Sequence, residues 1–123
     1  MQKNKLIPVP YQQVAQRLAL ALVDYDPSDE ISAGRAKTYL YGETAVLLRI
    51  EGSELVVVGL VGEIIQTSLF IYTTALQTKG IKTLRFHTMR KGMKRALISA
   101  GIPVYEQGID NENYQILGVN CGR

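Results

Sequence analysis

ELVVVGLVGEIIQTSLFIYTTALQTKGIKTLRFHT, residues Glu54–Thr88, carries the reading of the fold. Glu54–Val61 is almost wholly apolar and β-branched, the composition of a strand at the centre of a sheet. Glu63–Thr78 reads as a helix of about four turns, with Gly80 placed as a left-handed C-cap. Ile81–Thr88 reads as a second buried strand. Working back along the chain, Arg35–Gly42 and Thr44–Glu51 are two strands that meet at Gly42-Glu43. Glu51-Gly52-Ser53 turns the second of them into Glu54–Val61, so three consecutive strands form an antiparallel meander.

Outside this centre, Leu6–Val9 reads as a short first strand limited by Pro8 and Pro10. Tyr11–Val23 reads as a helix, because Val14, Leu18, Ala21 and Leu22 fall on one apolar face. Asp24–Gly34 is acidic and turn-rich, with Asp26-Pro27-Ser28 at a helix N-terminus or in a loop. Beyond the centre, Arg90–Ala100 is an amphipathic helix with Met93, Ala96, Leu97 and Ala100 inside and Gly101 as its C-cap. Val104–Gln107 and Tyr114–Val119 close the chain as a hairpin. The order predicts an α/β fold, an α+β mixed sheet with helices on both faces. It forms one domain over residues 1–123, with residues 1–5 a loose tail.

The chain has 123 residues, enough for one buried core, and a net charge of +3. That charge is unevenly spread. Lys79, Lys82, Arg85, Arg90, Lys91, Lys94 and Arg95 lie in one stretch with no acidic residue, and the rest of the chain carries seven positive and eleven negative charges. Such polarity points to a defined anionic contact at a strand-to-helix junction rather than to general nucleic-acid coating. A single cysteine, Cys121, excludes an intrachain disulfide and a cysteine zinc cluster, and a single histidine, His87, excludes a multi-histidine metal site. No apolar run suits a signal peptide or a membrane span, so a soluble protein with no membrane partner is expected. No helix-turn-helix, zinc finger or Walker loop is present. Phe86 is the sole aromatic among the cations, too little for a base-stacking platform.

The order of elements, and the spacing from Glu54 to Val119, resembles the GNAT family of N-acetyltransferases. VVVGLVGEIIQ followed by KGIKTLRFHTMRKGMKRALISAGIPVYEQ fits the second half of that fold. More narrowly, GRAKTYLYGETAVLLRIEGSELVVVGLVG with RKGMKRALISAG looks like the small GNAT-like proteins carried by tailed bacteriophages and prophages. The resemblance covers Gly34–Val119. It implies a CoA diphosphate held at the helix after the central strand, by a Gln/Arg-x-x-Gly-x-Gly/Ala loop. This chain has Gly59-Leu60-Val61-Gly62-Glu63 there, without the leading basic residue and with a carboxylate in the phosphate position. Gly59 and Gly62 read first as a strand end and a helix entry. The family's Asn and Tyr of the next helix correspond to Arg90 and Leu97, so both usual groups are missing.

Two functions follow from the resemblance. In the first, the chain has no acetyltransferase activity and no cofactor, and acts as a virion-associated or interaction protein. Lys82, Arg85, His87, Arg90, Lys91, Lys94 and Arg95 then contact an acidic protein surface or packaged nucleic acid, with oligomer or virion assembly. It is made in the host cytoplasm and carried in the virion. In the second, it is an N-acetyltransferase using acetyl-CoA, with backbone N–H groups of Gly62, Ile64 and Ile65 at the diphosphate and Arg90 and Lys91 at the 3′-phosphate. His87 is a candidate base because its charge changes near neutral pH. Glu43, Glu51 and Glu54 border the meander, where a base acting through water can sit. Tyr39, Tyr41, Tyr105 and Tyr114 suit strand packing or the lining of a groove.

Overall fold

Side chains that alternate along β3 separate two cores, one on each face of a seven-stranded sheet. A computed structural model describes residues 5–22, 25–88, 92–109 and 114–121. In chain order the elements are β1 (Leu6–Pro8), α1 (Tyr11–Leu18), α2 (Ser28–Ser32), β2 (Ala36–Tyr41), β3 (Thr44–Glu51) and β4 (Glu54–Val61). Then come α3 (Ile64–Gln77), β5 (Thr83–Thr88), α4 (Met93–Ser99), β6 (Tyr105–Ile109) and β7 (Gln115–Asn120). The sheet order is β1-β2-β3-β4-β5-β7-β6. Only β4 and β5 pair in parallel; the other neighbours are antiparallel. The expected order of elements and the mixed α/β class are both observed, with β4 in the middle of the sheet.

Ala45 and Leu47 of β3 pack with Val14, Leu18 and Leu22 of the α1 side. Val46 and Leu48 face the other way, into a larger core with Ile71 and Ala75 of α3, Leu97 of α4, and Leu84 and Phe86 of β5. This two-sided burial follows from the period-2 geometry of a strand. On the α1 side the sheet is only partly covered by helix. There the chain lays a run of ion pairs across β3, β4 and β5. Glu30 meets Arg35 and Arg49, Arg49 meets Glu51, and Arg85 meets Glu51 and Glu54.

Several boundaries differ from the sequence expectation, each for a local reason. α1 ends at Leu18, not at Val23, because the chain tightens: Leu20 N–H bonds to Arg17 and Ala21 N–H to Leu18. That tightening brings Leu22 back into the core and leaves Leu20 exposed. α3 stops at Thr78, whose backbone is extended and whose hydroxyl donates to the Thr74 carbonyl at 2.6 Å. Gly80 therefore serves the turn beyond the cap, not the cap itself. α4 starts at Met93 because Gly92, with φ of 80°, takes the N-cap position in the left-handed region. The residues expected to open that helix, Arg90 and Lys91, lie outside the described residues, as does most of the expected N-terminal tail.

Candidate functional site

The parallel ladder between β4 and β5 begins at Glu54 and Thr83 and ends at Val57 and Phe86. At that point β4 carries a bulge. Leu48 faces Val57 and Leu47 faces Gly59, so Val58 is an extra residue on the β4 strand. A bulge bends its strand and increases the local twist, and here the bend coincides with the end of the β4–β5 pairing. The two strands separate beyond it. Gly59 sits in the bulge facing Leu18 and Leu22, where a Cβ would come within 3.1 Å of the Leu22 side chain.

The separation opens a cavity of about 260 Å³. Val57, Leu60, Val61 and Gly62 line it from β4 and its end, and Phe86, His87 and Thr88 from β5. Ile64 and Ser68 of α3 and Met93 of α4 line one side; Leu20 and Ala21, just past α1, border the other. Since α1 and α3 pack on opposite faces of the sheet, the cavity passes through it. Tyr114, immediately before β7, completes the wall. Its hydroxyl donates to the Ala21 carbonyl at 2.6 Å and so holds the end of the α1 turn over the opening. Tyr114→Phe is expected to cost about 1 kcal/mol, the net worth of one such bond. It should also raise amide hydrogen exchange in residues 19–22; unchanged exchange there would refute the tether.

A second, polar cavity of about 380 Å³ lies at the start of α3, lined by Tyr41, Gly42, Glu43, Thr44, Gly62, Glu63 and Gln66. Thr44 organises it. The Thr44 hydroxyl accepts the Glu63 N–H at 2.9 Å. Gly62, with φ of 137°, comes so close that a Cβ there would be 2.7 Å from the Thr44 hydroxyl oxygen. Arg17 donates to the Glu43 carbonyl from the α1 side. Glu63 occupies the N-cap of α3, where negative charge is favourable to the helix.

The residues singled out from sequence are distributed as follows. Gly62, Ile64 and His87 meet at the first cavity, while Ile65 packs against the α3-side core. Arg85 is held by Glu51 and Glu54, both at 3.1 Å, and Lys94 faces Glu106 at 3.4 Å. Lys79, Lys82 and Arg95 are exposed. Lys82 precedes β5 and Arg95 follows it, and a strand of this length separates its ends by roughly 20 Å. Of the cations that adjoin in sequence, Arg85 and Lys94 face carboxylates of this same chain. Glu51 and Glu54 are engaged with arginines, whereas Glu43 borders the polar cavity. Of the tyrosines, Tyr39 packs on the core, Tyr41 meets Phe70 in a tilted ring contact at 4.8 Å, Tyr105 lies over Gly118, and Tyr114 lines the cavity. Leu97 is fully buried in the core and forms no part of the cavity wall.

Displaced titrations occur away from the cavity. Hydrogen bonds from the Ser28 hydroxyl and N–H lower the Asp26 carboxyl, and the Arg35 guanidinium lowers Glu30. Burial pushes the Cys121 thiol up, which favours its protonated, unreactive form.

Structural comparison identifies the kind of fold. A Bacillus subtilis acetyltransferase in complex with CoA matches over 96% of this chain and 97% of its own, at a TM-score of 0.51 and 16% identity. An Escherichia coli N-acetyltransferase acting on an alanine of a ribosomal protein matches over 98% and 95%, at 0.59 and 8% identity. A domain from Methanocaldococcus jannaschii matches over 96% and 99%, at 0.57 and 14% identity. The fold is GNAT-like. No protein-family model matches the chain, and no curated protein does. Within this GNAT-like fold the cavity lies where β4 and β5 part, and the polar cavity lies at the start of the helix that follows β4. Among the described residues no helix is long and apolar enough to cross a membrane.

The sequence reading missed Ser68, Thr88 and Leu20 as cavity residues. One signal was present. Thr67-Ser68 is a polar pair inside the apolar run of α3, and both residues are fully buried.

The chain's fit to CoA divides at the mouth of the cavity. The apolar walls from Val57, Leu60, Val61, Ile64, Phe86 and Met93 suit a narrow pantetheine arm. The diphosphate end suits it less. The Glu63 N–H is already bonded to Thr44, Gly62 is pressed against Thr44, and the polar cavity carries the Glu43 and Glu63 carboxylates.

Proposed function

We propose that this protein is an N-acetyltransferase of GNAT-like fold that takes the acyl-bearing arm of acetyl-CoA into the gap between β4 and β5. The observation that carries this reading is the cavity that passes through the sheet where their pairing ends, with His87 in its wall. An acyl thioester bound there supplies an activated carbonyl. The chain's own residues do the rest. The walls from α3 and α4 exclude water on one face, and the other face, bordered by Leu20 and Ala21, admits an amine. His87 lies on β5 beside that opening; it takes the proton that the amine releases as the C–N bond forms and the thioester C–S bond breaks, and the leaving thiolate takes up a proton to depart as the thiol. The first-turn N–H groups of Ile64 and Ile65 would hold the diphosphate, with Arg90 and Lys91 as the candidate cations for the 3′-phosphate.

A second reading, a GNAT-like interaction protein without acetyltransferase activity, is favoured by Glu63 at the helix start and by Leu97 in the core. It uses the exposed Lys79, Lys82 and Arg95 against an acidic protein surface or packaged nucleic acid, including assembly into a virion. Calorimetric titration with acetyl-CoA separates the two. The enzyme reading expects micromolar binding. His87→Ala should then lower the rate of thiol release with an amine acceptor by about a hundredfold, a usual share for a general base, and leave acetyl-CoA affinity unchanged. No binding up to millimolar acetyl-CoA would overturn the enzyme reading and leave the interaction protein.

A further inference from the structure

Ser68 presents an unusual group to the cavity. It sits in the second turn of α3, is fully buried, lines the cavity wall, and its hydroxyl has no hydrogen-bond partner among the described residues. A buried helical serine or threonine commonly returns its hydroxyl to the carbonyl four residues back. The adjacent Thr67 does so, to Glu63 at 2.6 Å, and Thr78 does so to Thr74. Ser68 does not. It shares the cavity wall with the apolar side chains of Ile64, Val57, Phe86 and Met93 and with the polar His87, Thr88 and Tyr114. A buried hydroxyl without a partner is destabilising, and in native proteins it commonly marks a group kept for use.

We propose that the Ser68 hydroxyl is a specificity-determining contact, which selects a chain bearing amide groups over a plain alkyl chain in the α3-side half of the cavity. A serine hydroxyl can donate to an amide carbonyl or accept from an amide N–H, so it serves either orientation of the arm. A site built to hydrogen-bond a ligand rejects an analogue that lacks the matching group, because the protein's polar atom is then left unpaired. This inference rests on the placement of the arm proposed above, and not on whether transfer follows.

The test compares wild type with Ser68→Ala, using pantetheine and a length-matched, hydroxyl-terminated alkanethiol as probes. Wild type should prefer pantetheine by about tenfold, or about 1.4 kcal/mol. Ser68→Ala should lose that preference while its alkanethiol affinity is unchanged. Its unliganded melting temperature should hold or rise, since alanine removes an unpaired hydroxyl. Pantetheine affinity kept within about twofold, equal weakening of both probes, or a lower melting temperature would each overturn the proposal. Pantetheine binding that depends on Ser68 without acetyl transfer would sink the enzyme reading alone. No pantetheine binding by wild type would sink both.

Discussion

Gly62→Ala is expected to lower the stability of the protein by about 3 kcal/mol, from backbone strain and overpacking together. The backbone at Gly62 has φ of 137°, a conformation that side chains with a Cβ rarely adopt. The new Cβ would also lie 2.8 Å from the Thr44 Cα and 2.7 Å from its hydroxyl oxygen. The hydroxyl can rotate away, but the Thr44 backbone, which closes the β2–β3 hairpin by pairing with Tyr41, gives way less easily. Relief requires the end of β4 to move off β3, which breaks the Glu63 N–H bond to Thr44 and shifts the start of α3. Both cavities share Gly62, so ligand affinity should fall along with stability. Urea unfolding with an unchanged slope measures the first effect. A loss under about 1 kcal/mol, ordinary for a surface change, would show that the junction is not held as described.

Leu97→Ala should cost a similar amount, about 3 kcal/mol, within the usual range for a leucine removed from a packed core. Leu97 is fully buried, in one cluster with Ile71, Ile102, Val104 and Leu117, so its loss leaves a hole between α4, α3 and the sheet. Its role is in folding, not in chemistry. This is the position where the family resemblance places a tyrosine, yet the side chain here points into the core. The titratable side chains on the cavity wall are instead His87 and Tyr114, among the described residues. If Leu97→Ala unfolds at the wild-type urea concentration, this account of α4 packing fails.

Much of the architecture was legible along the chain. β4 announced itself by a run of β-branched residues, and α3 by its length between two strands. The hairpin turn at Gly42-Glu43 and the mixed class followed from the same local patterns. Helix ends were less legible. The tightening after Leu18 is fixed by Tyr114, which accepts no local rule because it lies 93 residues away. The start of α4 was misplaced because the left-handed conformation of Gly92 interrupts a pattern that continues in the sequence.

The site divides in the same manner. Gly62, Ile64 and His87 could be named from sequence, because they flank a strand-to-helix junction and a strand end. Thr88 and Leu20 could not, because they become cavity neighbours only when β4 and β5 part, and Ser68 left only the Thr67-Ser68 polar pair as a signal. Arg85 shows the opposite case. It belongs to a cationic stretch in sequence, but Glu51, 34 residues away, and Glu54 compensate its charge in the folded sheet.

By itself, then, the sequence determined the order and kind of the elements, because hydrophobic periodicity and turn chemistry act within a few residues. Tertiary structure alone decided that β5 lies beside β4 for four residue pairs and then leaves it. It also decided which cations are compensated, and that a hydroxyl in α3 stands in a cavity wall without a partner among the described residues. These features depend on pairing and bending between segments far apart in the chain, and no local pattern records them.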